Sequence, residues 1–420
     1  MDETALIGMG MGYPGGLTVE AQAFIRDADL LIGAKRMLDS ASAISIRKDV
    51  SFEKAYLPAD ILKAMAEHPE AEKTGILFSG DTGFFSGAEK LLRVLPDNVR
   101  VMPGISCISY FCGLIRRPWQ DIHLVSLHGK EANIVGEVLF HAHTMAILGS
   151  TGGVSDVCRK LVEFGLEDAC VTVGCDFGTP EEKIMTGHPS DFCSRECSAL
   201  SVILIDRPYI FPDPECLRTG YLPDSEFIRG KVPMTKEEVR TASISHLQLT
   251  QDAVVYDIGA GTGSVTVTAA LRACRGRVFA IEKKPEAVEL IRKNIHKFHA
   301  ANVTVVEGTA PEAFAGLPAP THVFIGGSGG RIDEIIGSVM HASPAVRIVI
   351  NVVTLETLHA ALTSLKANGM DDPDVVCLSA ARAEKAGRYH LMRGEDPVYI
   401  ITAGNFRSSA AGNCREDDAR

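Results

Sequence analysis

The chain has 420 residues, more than one hydrophobic core usually supports, and its 46% hydrophobic and 23% charged residues are typical of globular proteins. Its net charge of -11 counts against a sequence-independent grip on nucleic acid, and no apolar run approaches the roughly 20 residues that span a bilayer. Asp2 and Glu3 stand where a signal peptide would be basic, so a cytoplasmic location is expected.

The 11 cysteines contain no C-x-x-C pair, and Cys193 and Cys197 are the two closest in sequence. This spacing counts against a zinc site, so no metal is expected. Reduced cysteines scattered through a cytosolic core are the simpler interpretation.

Residues 1–207 alternate short apolar runs with patterns of helical spacing. The runs end in glycine or in a polar turn residue, as strands do where they enter loops. Eight runs predict strands: ALIGMG, DLLIG, TGILFSG, VRVMPG, IHLVSLHG, TMAILG, ACVTVGC and SALSVILID. This alternation predicts an α/β domain.

Residues 208–233 contain five prolines and no periodicity, which predicts a linker between domains. A second α/β domain is predicted over residues 234–406, followed by a tail over 407–420. Its first helix is expected to have Thr235 as N-cap, with Glu238 completing a capping box. The later runs AVVYDIG, RVFAIE, VTVVEG, THVFIGG, RIVINV and PVYIITA predict a Rossmann-like, mostly parallel sheet.

A glycine loop follows the first strand of this second domain. Asp257, Gly259, Gly261 and Gly263 form D-x-G-x-G-x-G between a strand and a helix, where the backbone can approach a ligand closely. The next strand ends in Glu282, where an acid is placed to bind a ribose diol.

This loop and acid together resemble the class I S-adenosylmethionine methyltransferases. The resemblance implies that the glycines approach the amino-acid part of S-adenosylmethionine, that Glu282 binds its ribose, and that the turn after Glu307 contacts its adenine. The cofactor-binding residues implied are Asp257, Gly259, Gly261, Gly263, Glu282, Gly308, Thr309 and Ala310.

The segment from Gly326 to Gly330 formally matches G-x-S-x-G, the nucleophile elbow of hydrolases. A hydrolase also needs a placed acid and a histidine, and His341, His359 and His390 have no distinctive context. Hydrolysis is therefore a distant alternative. We interpret the segment as a glycine-rich floor beside the cofactor, open to a large flat substrate.

The upstream glycines Gly8, Gly10 and Gly12 repeat the G-x-G-x-G spacing, but the features that accompany a Rossmann site are missing. Pro14 extends the loop, and the next helix is expected to start only near Thr18. The second strand runs into Ala34-Lys35-Arg36, which offers no acid to a ribose. A Rossmann site is therefore not expected here.

Later loops of this half contain Gly80-Asp81, Pro103-Gly104-Ile105-Ser106 and Ser126-Leu127-His128-Gly129. With the first loop, G-M-G-Y-P-G-G-L-T, they resemble the tetrapyrrole methylases over about residues 4–207. That resemblance implies two α/β subdomains with S-adenosylmethionine in the cleft between them, near Pro14, Gly80, Asp81 and Ser106. The chain departs from the family pattern at Tyr13, and it reads G-D-T-G where G-D-P-G is common.

The order of the two halves, with PMTKEEVR and HVFIGGSGGRIDEI in the second, resembles the decarboxylating precorrin methyltransferases of cobalamin biosynthesis. The resemblance implies methylation of a late precorrin at carbon 5 by residues 1–207. It assigns methylation at carbon 15 and loss of the ring C acetate carboxyl to residues 234–406. It also implies two S-adenosylmethionine sites per chain and places Thr235 near the second.

Such a tetrapyrrole carries many carboxylates, so local cations are expected in each half. Lys236 and Arg240, one helical turn apart, are the preferred pair, and His128 is a third catalytic candidate. Neither nucleic acid nor membrane is an expected partner, and a homo-oligomer is expected. The other candidate cations are Arg116, Arg117, Lys130, Lys231, Arg331 and Arg388.

Two alternatives stay open at this point. In the first, the chain is a single-site class I methyltransferase for RNA or protein with a non-catalytic N-terminal module. In the second, the N-terminal half is a structural partner of a single working site in the second half. The sequence does not distinguish a cobalt-containing precorrin from a metal-free one.

Overall fold

The computed structural model describes residues 3–45, 47, 49–127, 132–149, 153–207 and 222–404. The chain divides into two units. The first takes in residues 1–131, 143–159 and 167–208, and the second takes in residues 132–142, 160–166 and 209–420. None of the helices in the described part of the chain is both long and apolar enough to cross a membrane.

The first unit contains two five-stranded sheets, as the predicted two subdomains require. One is fully parallel, in the order β3-β2-β4-β1-β5. Its strands are β1 (Glu3–Gly8), β2 (Leu30–Gly33), β3 (Ser51–Lys54), β4 (Lys73–Phe78) and β5 (Arg100–Met102). The helices over this stretch are α1 (Val19–Asp27), α2 (Lys35–Ser42), α3 (Pro58–Glu67), α4 (Ala88–Leu92) and α5 (Cys107–Leu114).

The other sheet has the order β6-β7-β10-β8-β9 and is parallel only between β6 and β7. Its strands are β6 (His123–Ser126), β7 (His143–Ile147), β8 (Cys170–Cys175), β9 (Lys183–Gly187) and β10 (Ser201–Asp206). Two helices lie along the same stretch of chain. The first, α6 (Ile134–Phe140), belongs to the second unit, and α7 (Gly153–Glu163) is divided between the two units.

The second unit is built on a seven-stranded sheet in the order β13-β12-β11-β14-β15-β19-β16, antiparallel only where β19 pairs with β15 and β16. The strands are β11 (Val254–Ile258), β12 (Arg277–Glu282), β13 (Val303–Glu307), β14 (His322–Ile325), β15 (Arg347–Val352), β16 (Asp374–Leu378) and β19 (Val398–Ala403), with a hairpin of β17 (Ala381–Ala386) and β18 (Tyr389–Gly394). The helices are α8 (Glu237–Leu247), α9 (Ser264–Arg272), α10 (Pro285–Lys297), α11 (Ile332–Ala342) and α12 (Leu355–Ala367).

The central strands of this sheet are buried on both faces, as is usual for parallel sheets. Phe279 and Ile281 of β12 enter one hydrophobic cluster, which α11 and α12 complete. The intervening Val278 and Ala280 enter another, together with residues of α8, α9 and α10. The α/β class and the mostly parallel Rossmann-like sheet are therefore confirmed.

All fourteen predicted apolar runs contain a strand, whereas β3, β9 and β16 to β18 were not predicted from the sequence. The missed strands are largely exposed, so they lack the apolar runs used as the signal. The predicted helix start is borne out at Thr18, whose side chain accepts a hydrogen bond from the Ala21 backbone N–H at 3.1 Å.

The predicted capping box at Thr235 is wrong. Helix α8 begins at Glu237, its N-cap is Lys236, and no side chain caps it. Glu238 instead accepts two hydrogen bonds from Arg382, at 2.7 and 2.6 Å, so a charged partner from the β17–β18 hairpin takes the place of the local bond.

Candidate functional site

A cavity of about 940 Å³ opens at the carboxyl ends of the parallel strands of the second unit. The chain passes from one side of β11 to the other between β13 and β14, and ligands bind at such a switch point in open α/β sheets. The loops after β11, β12, β13 and β14 all contribute to the lining, and so does the segment that precedes α8.

The glycine loop after β11 forms one side of this cavity through Gly259 and Gly261. Both glycines have positive φ angles, 72° and 59°. A Cβ at Gly259 would lie 2.7 to 2.8 Å from backbone atoms of Gly327, and one at Gly261 would lie 3.2 Å from the Pro233 carbonyl oxygen. Glycine is needed because the loop's own backbone packs against other backbone.

Gly263 and Asp257 belong to the same motif but do not line the cavity. Gly263 is the N-cap of α9, with φ 78°, and a Cβ there would approach Ile291 to 3.2 Å. Asp257 is 1% exposed and accepts a hydrogen bond from the Thr266 hydroxyl. Its Oδ1 has no partner among the described residues, and burial raises the pKa of this carboxyl to about 7.

Glu282 joins the end of β12 to the glycine loop. Its Oε2 accepts from the Gly261 backbone N–H at 2.9 Å, and its Oε1 accepts from the N–H groups of Lys283 and Lys284 at 2.9 and 3.0 Å. The side chain lines the cavity although the residue is only 8% exposed. A carboxylate offers about four acceptor positions, so three bonds leave one for a ligand hydroxyl.

The predicted adenine turn also lies at the cavity, because Gly308, Thr309 and Ala310 all contribute to its lining. A Cβ at Gly308 would lie 3.2 Å from the Ala313 side chain. The residues expected around ribose and adenine are thus brought to one cavity, together with Thr235.

The two preferred cations of the second unit have different positions. Lys236 lines the cavity, and its Nζ lies 3.8 Å from Glu395, another lining residue. Arg240 is 1% exposed and is not among the lining residues. Its guanidinium donates to Asp224 at 3.0 Å, to the Thr235 carbonyl at 2.8 Å and to the Leu222 carbonyl. Arg240 is therefore an internal anchor, not the carboxylate ligand that its helical spacing from Lys236 suggested.

Several lining residues were missed from the sequence: Lys283, Lys284, Asn351, Glu395 and Asp396. The two lysines directly follow Glu282, the predicted ribose-binding acid, so their position in the sequence could have indicated that they line the cavity. The other three come from β15 and from the end of the β17–β18 hairpin, which long-range folding brings to the cavity.

Arg331 lines the cavity but is engaged by two carboxylates. It donates to Glu312 at 2.7 and 2.6 Å and to Glu334 at 3.1 Å, and these contacts lower the pKa of Glu312 to about 2. No histidine is among the described lining residues, so the triad that Ser328 would need for hydrolysis is not assembled there.

Four glycines hold the loops of the first unit together. A Cβ at Gly104 would lie 2.2 Å from the Gly80 carbonyl oxygen and 2.7 Å from Gly8 backbone atoms. Gly10 and Gly80 exchange two backbone hydrogen bonds, at 3.0 and 2.8 Å. The loops after β1, β4 and β5 therefore pack backbone against backbone.

The polar candidates of the first unit stabilise these same loops. Asp81 accepts from the N–H groups of Gly83 at 2.8 Å and Gly104 at 3.0 Å. Ser106 caps α5 by accepting from the Ser109 N–H at 3.1 Å. Pro14 begins a short 3-10 helix, and its carbonyl accepts from Gln22 at 3.0 Å.

Tyr13, the departure from the family pattern, has a defined packing role. A Cβ at Gly16 would lie 3.0 Å from its ring, and the ring meets Tyr110 edge-on at 6.3 Å between centroids. Tyr110 in turn donates to Glu182 at 2.8 Å, and burial and this bond raise the pKa of Tyr110 to about 12. Tyr13 thus fills the space beside its own loop.

The remaining candidate cations fall into two groups. Arg117 donates twice to Asp206, both at 2.8 Å, so it is a structural ion pair. Arg116, Lys231 and Arg388 are exposed. His128 and Lys130 lie outside the described residues.

The cavity of the second unit fits S-adenosylmethionine. Its volume lies in the range of ligand pockets, and its glycine loop presents backbone rather than side chains. One acceptor position of Glu282 is left for a ribose hydroxyl. Thr235 and the Gly308 to Ala310 turn lie at the same cavity.

Family comparisons match the two halves of the chain to two different families. Residues 4–192 match the tetrapyrrole (corrin/porphyrin) methylases, and residues 226–404 match the precorrin methyltransferase domain. A probable cobalt-precorrin-6B C(15)-methyltransferase (decarboxylating) of Pyrobaculum calidifontis is 43% identical over 188 residues, which are 44% of this chain and 96% of that protein. A precorrin-6Y C(5,15)-methyltransferase [decarboxylating] of Sinorhizobium sp is 29% identical over 363 residues, 84% of each chain.

Among solved structures, the crystal structure of a precorrin-6y C5,15-methyltransferase from Geobacter metallireducens is 43% identical, with a TM-score of 0.42. It covers 44% of this chain, and 95% of its own length is covered. With its two matched regions and a relative covered over almost its whole length, the chain belongs to the precorrin methyltransferases, as a homologue of the decarboxylating precorrin-6Y C(5,15)-methyltransferases.

Proposed function

We propose that the protein methylates a late precorrin at carbons 5 and 15, with S-adenosylmethionine as methyl donor, and removes the carboxyl group of the ring C acetate. The observation that carries this proposal is the cavity of the second unit. There Glu282, held by the Gly261 N–H, stands at the switch point of the sheet, inside the region that matches the precorrin methyltransferase domain.

S-adenosylmethionine, when bound, supplies an electrophilic methyl group to an electron-rich carbon of the macrocycle. The protein's own task is therefore alignment, which alone contributes about 7 to 11 kcal/mol in well-oriented reactions. Glu282 and the Gly308 to Ala310 turn would hold the nucleoside, and Gly259 and Gly261 leave room for close approach. No activated nucleophile is required of this chain for such a transfer.

The substrate carboxylates need cations at the same cavity. Lys236, Lys283 and Lys284 line it, and Lys236 already lies within 3.8 Å of Glu395. A substrate carboxylate that binds Lys236 would compete with Glu395 for the ammonium group. Loss of carbon dioxide leaves an electron pair, which a protonated ring imine of the substrate would accept, and it is favoured where the carboxylate leaves water for a drier surface. Leu378 and Val398, which are half-buried apolar lining residues, are the candidates for such a surface.

We assign carbon 15 and the decarboxylation to residues 234–406, and carbon 5 to residues 1–207. This division is supported by relatives that match only 42 to 44% of this chain, over almost their whole length, and that are named C(15)-methyltransferases (decarboxylating). The second half of the chain matches the precorrin methyltransferase domain. The first half matches the tetrapyrrole methylases instead. Two S-adenosylmethionine sites per chain, a homo-oligomer and a cytoplasmic location stay predictions.

Mass spectrometry after incubation with S-adenosylmethionine tests the proposal, with precorrin-6Y and its cobalt counterpart as separate substrates. We expect a gain of two methyl groups and a loss of one carbon dioxide from one of the two. No mass change with either substrate would refute the proposed reaction. The same experiment decides whether the substrate carries cobalt.

A further inference from the structure

One wall of the cavity is formed by the end of the segment of residues 222–236, here called the wall segment, most of which the sequence suggested was linker. Val232, Pro233, Met234, Thr235 and Lys236 of this wall segment all line the cavity. The Pro233 carbonyl faces Gly261 of the glycine loop, 3.2 Å from where a Cβ would be. The segment has almost no regular structure beyond one short 3-10 turn at Asp224–Glu226, so something other than a backbone ladder must hold it.

Asn294 of α10 holds the middle of the wall segment. Its Oδ1 accepts from the Ile228 N–H at 2.8 Å, and its Nδ2 donates to the Ile228 carbonyl at 3.1 Å. The same Nδ2 donates to the carbonyl of Thr262, inside the glycine loop, at 2.9 Å. The Asn294 side chain is fully buried, and its bond to Thr262 is made away from water, while its two bonds to Ile228 are partly buried. Losing the set is therefore costly.

Arg240 of α8 holds the two ends. Its guanidinium donates to the Leu222 carbonyl at the start of the wall segment and to the Thr235 carbonyl near its end, and it pairs with Asp224 between them. Its charge also lies over the Phe227 ring, 4.6 Å from the centroid. Phe227 and Met234 are buried in one cluster with Val267 and Leu271 of α9, so the segment's apolar side chains face the unit.

Asn294 and Arg240 therefore bind the wall segment at four residues, and Asn294 ties it directly to the glycine loop. We propose that Asn294 and Arg240 are positioning residues for S-adenosylmethionine, which set the distance between the wall segment and the glycine loop without touching the ligand. The inference rests on the proposed function, which identifies the ligand of this cavity.

The test is calorimetric titration of the full-length protein with S-adenosylmethionine, alongside thermal unfolding with and without it. Because two sites per chain are expected, the site of the second unit is identified as the one whose affinity for S-adenosylmethionine Glu282→Gln lowers. For Asn294→Ala we expect a dissociation constant on the order of tenfold higher, as for a lost set of buried hydrogen bonds. We also expect a smaller rise in melting temperature at a fixed S-adenosylmethionine concentration.

Asn302→Ala is the matched control. Asn302 also donates to several backbone carbonyls, those of Ala270 and Ala273 at 3.0 and 2.8 Å and that of Gly276 at 3.4 Å, but it is not a lining residue. The Asn302→Ala substitution should lower the melting temperature and leave the dissociation constant for S-adenosylmethionine unchanged. Equal weakening of binding by Asn302→Ala would overturn the proposal, because general loosening would then explain both variants.

Arg240→Lys decides the question if Asn294→Ala does not fold. Lysine keeps the charge opposite Asp224 but cannot bond both ends of the wall segment, so the dissociation constant should again rise. Wild-type affinity in folded Asn294→Ala, or in Arg240→Lys where only that variant folds, would show that the contacts serve stability alone. If the wild-type protein does not bind S-adenosylmethionine at the second unit, the proposed function itself fails, which is a separate result.

Discussion

Glu282 is the side chain through which the nucleoside end of the cavity is organised. Its carboxylate accepts three backbone N–H groups, one of them from the glycine loop. In Glu282→Gln one acceptor oxygen becomes an NH₂ group that faces those donors. We expect S-adenosylmethionine affinity at this site to fall roughly tenfold to a hundredfold, the usual range for a hydrogen bond to a charged group.

Titration calorimetry measures this loss, and Glu307→Gln is its control. Glu307 is the register neighbour of Glu282 on β13 but is exposed and not a lining residue. An unchanged affinity in Glu282→Gln, or an equal loss in both variants, would contradict the role given to Glu282.

The buried carboxyl of Asp257 should make the stability of the protein depend on pH. Its folded-state pKa of about 7 lies above the usual aspartate value of about 3.9, so the folded protein binds this proton more tightly than the unfolded chain does. The stability it contributes is full below pH 4 and is lost as the pH rises to about 7. Compared with that of Asp257→Asn, the free energy of unfolding of the wild type should therefore fall by about 1.4 kcal/mol per pH unit between pH 4 and pH 7.

Denaturant unfolding of both proteins at several pH values from 4 to 8 checks this expectation. The cost of the asparagine side chain itself is constant with pH, so only the slope of the difference matters. The difference should level off above about pH 7. Parallel curves throughout would mean that Asp257 is already ionised at low pH.

Among the elements, the turns after β11 and β14 are in close backbone contact. A Cβ at Gly259 would overlap the backbone of Gly327, so Gly259→Ala must push the two turns apart. We expect S-adenosylmethionine binding at the second unit to be lost and the melting temperature to fall. Gly316→Ala separates this clash from backbone strain, since Gly316 has a similar φ of 79° with no atom within 4 Å. Its strain should cost only about 1 to 2 kcal/mol and leave binding intact.

If Gly316→Ala abolished binding as Gly259→Ala does, the close approach of the two turns would not be the cause. Thermal unfolding and titration of both variants give the comparison directly. The same reasoning explains why the glycine segment after β14 is rich in glycine without being a nucleophile elbow.

How far the sequence predicts an element depends on where its signal lies. β12 ends in Glu282 after a continuous apolar run, so both the strand and its functional residue were visible. β17 and β18 are almost wholly exposed, and only long-range pairing defines them. The wall segment could not be predicted either, because side chains outside it hold it in place. Asn294 is remote from it in sequence, and Arg240 follows it and bonds to both its ends. Helical spacing correctly placed Lys236 and Arg240 one turn apart but did not reveal which of them is buried.

Over the whole molecule, two different glycine loops are expected to serve one methyl donor. The first unit closes its loops by backbone contacts among Gly8, Gly80 and Gly104, whereas the second pairs a glycine loop with Glu282. Because the two sets of contacts are made within separate units, each can be broken by a substitution that leaves the other unit's contacts in place.

Gly104→Ala and Gly259→Ala form a reciprocal pair on this basis. A Cβ at Gly104 would lie 2.2 Å from the Gly80 carbonyl oxygen, so this change disrupts the first unit's loops alone. We expect Gly104→Ala to add one methyl group and release carbon dioxide, provided that the second unit accepts a substrate unmethylated at carbon 5. We expect Gly259→Ala to add one methyl group and to keep the ring C acetate. Mass spectrometry distinguishes the two products by the carbon dioxide. Decarboxylation that survives in Gly259→Ala but not in Gly104→Ala would reverse the assignment of the reactions to the two units.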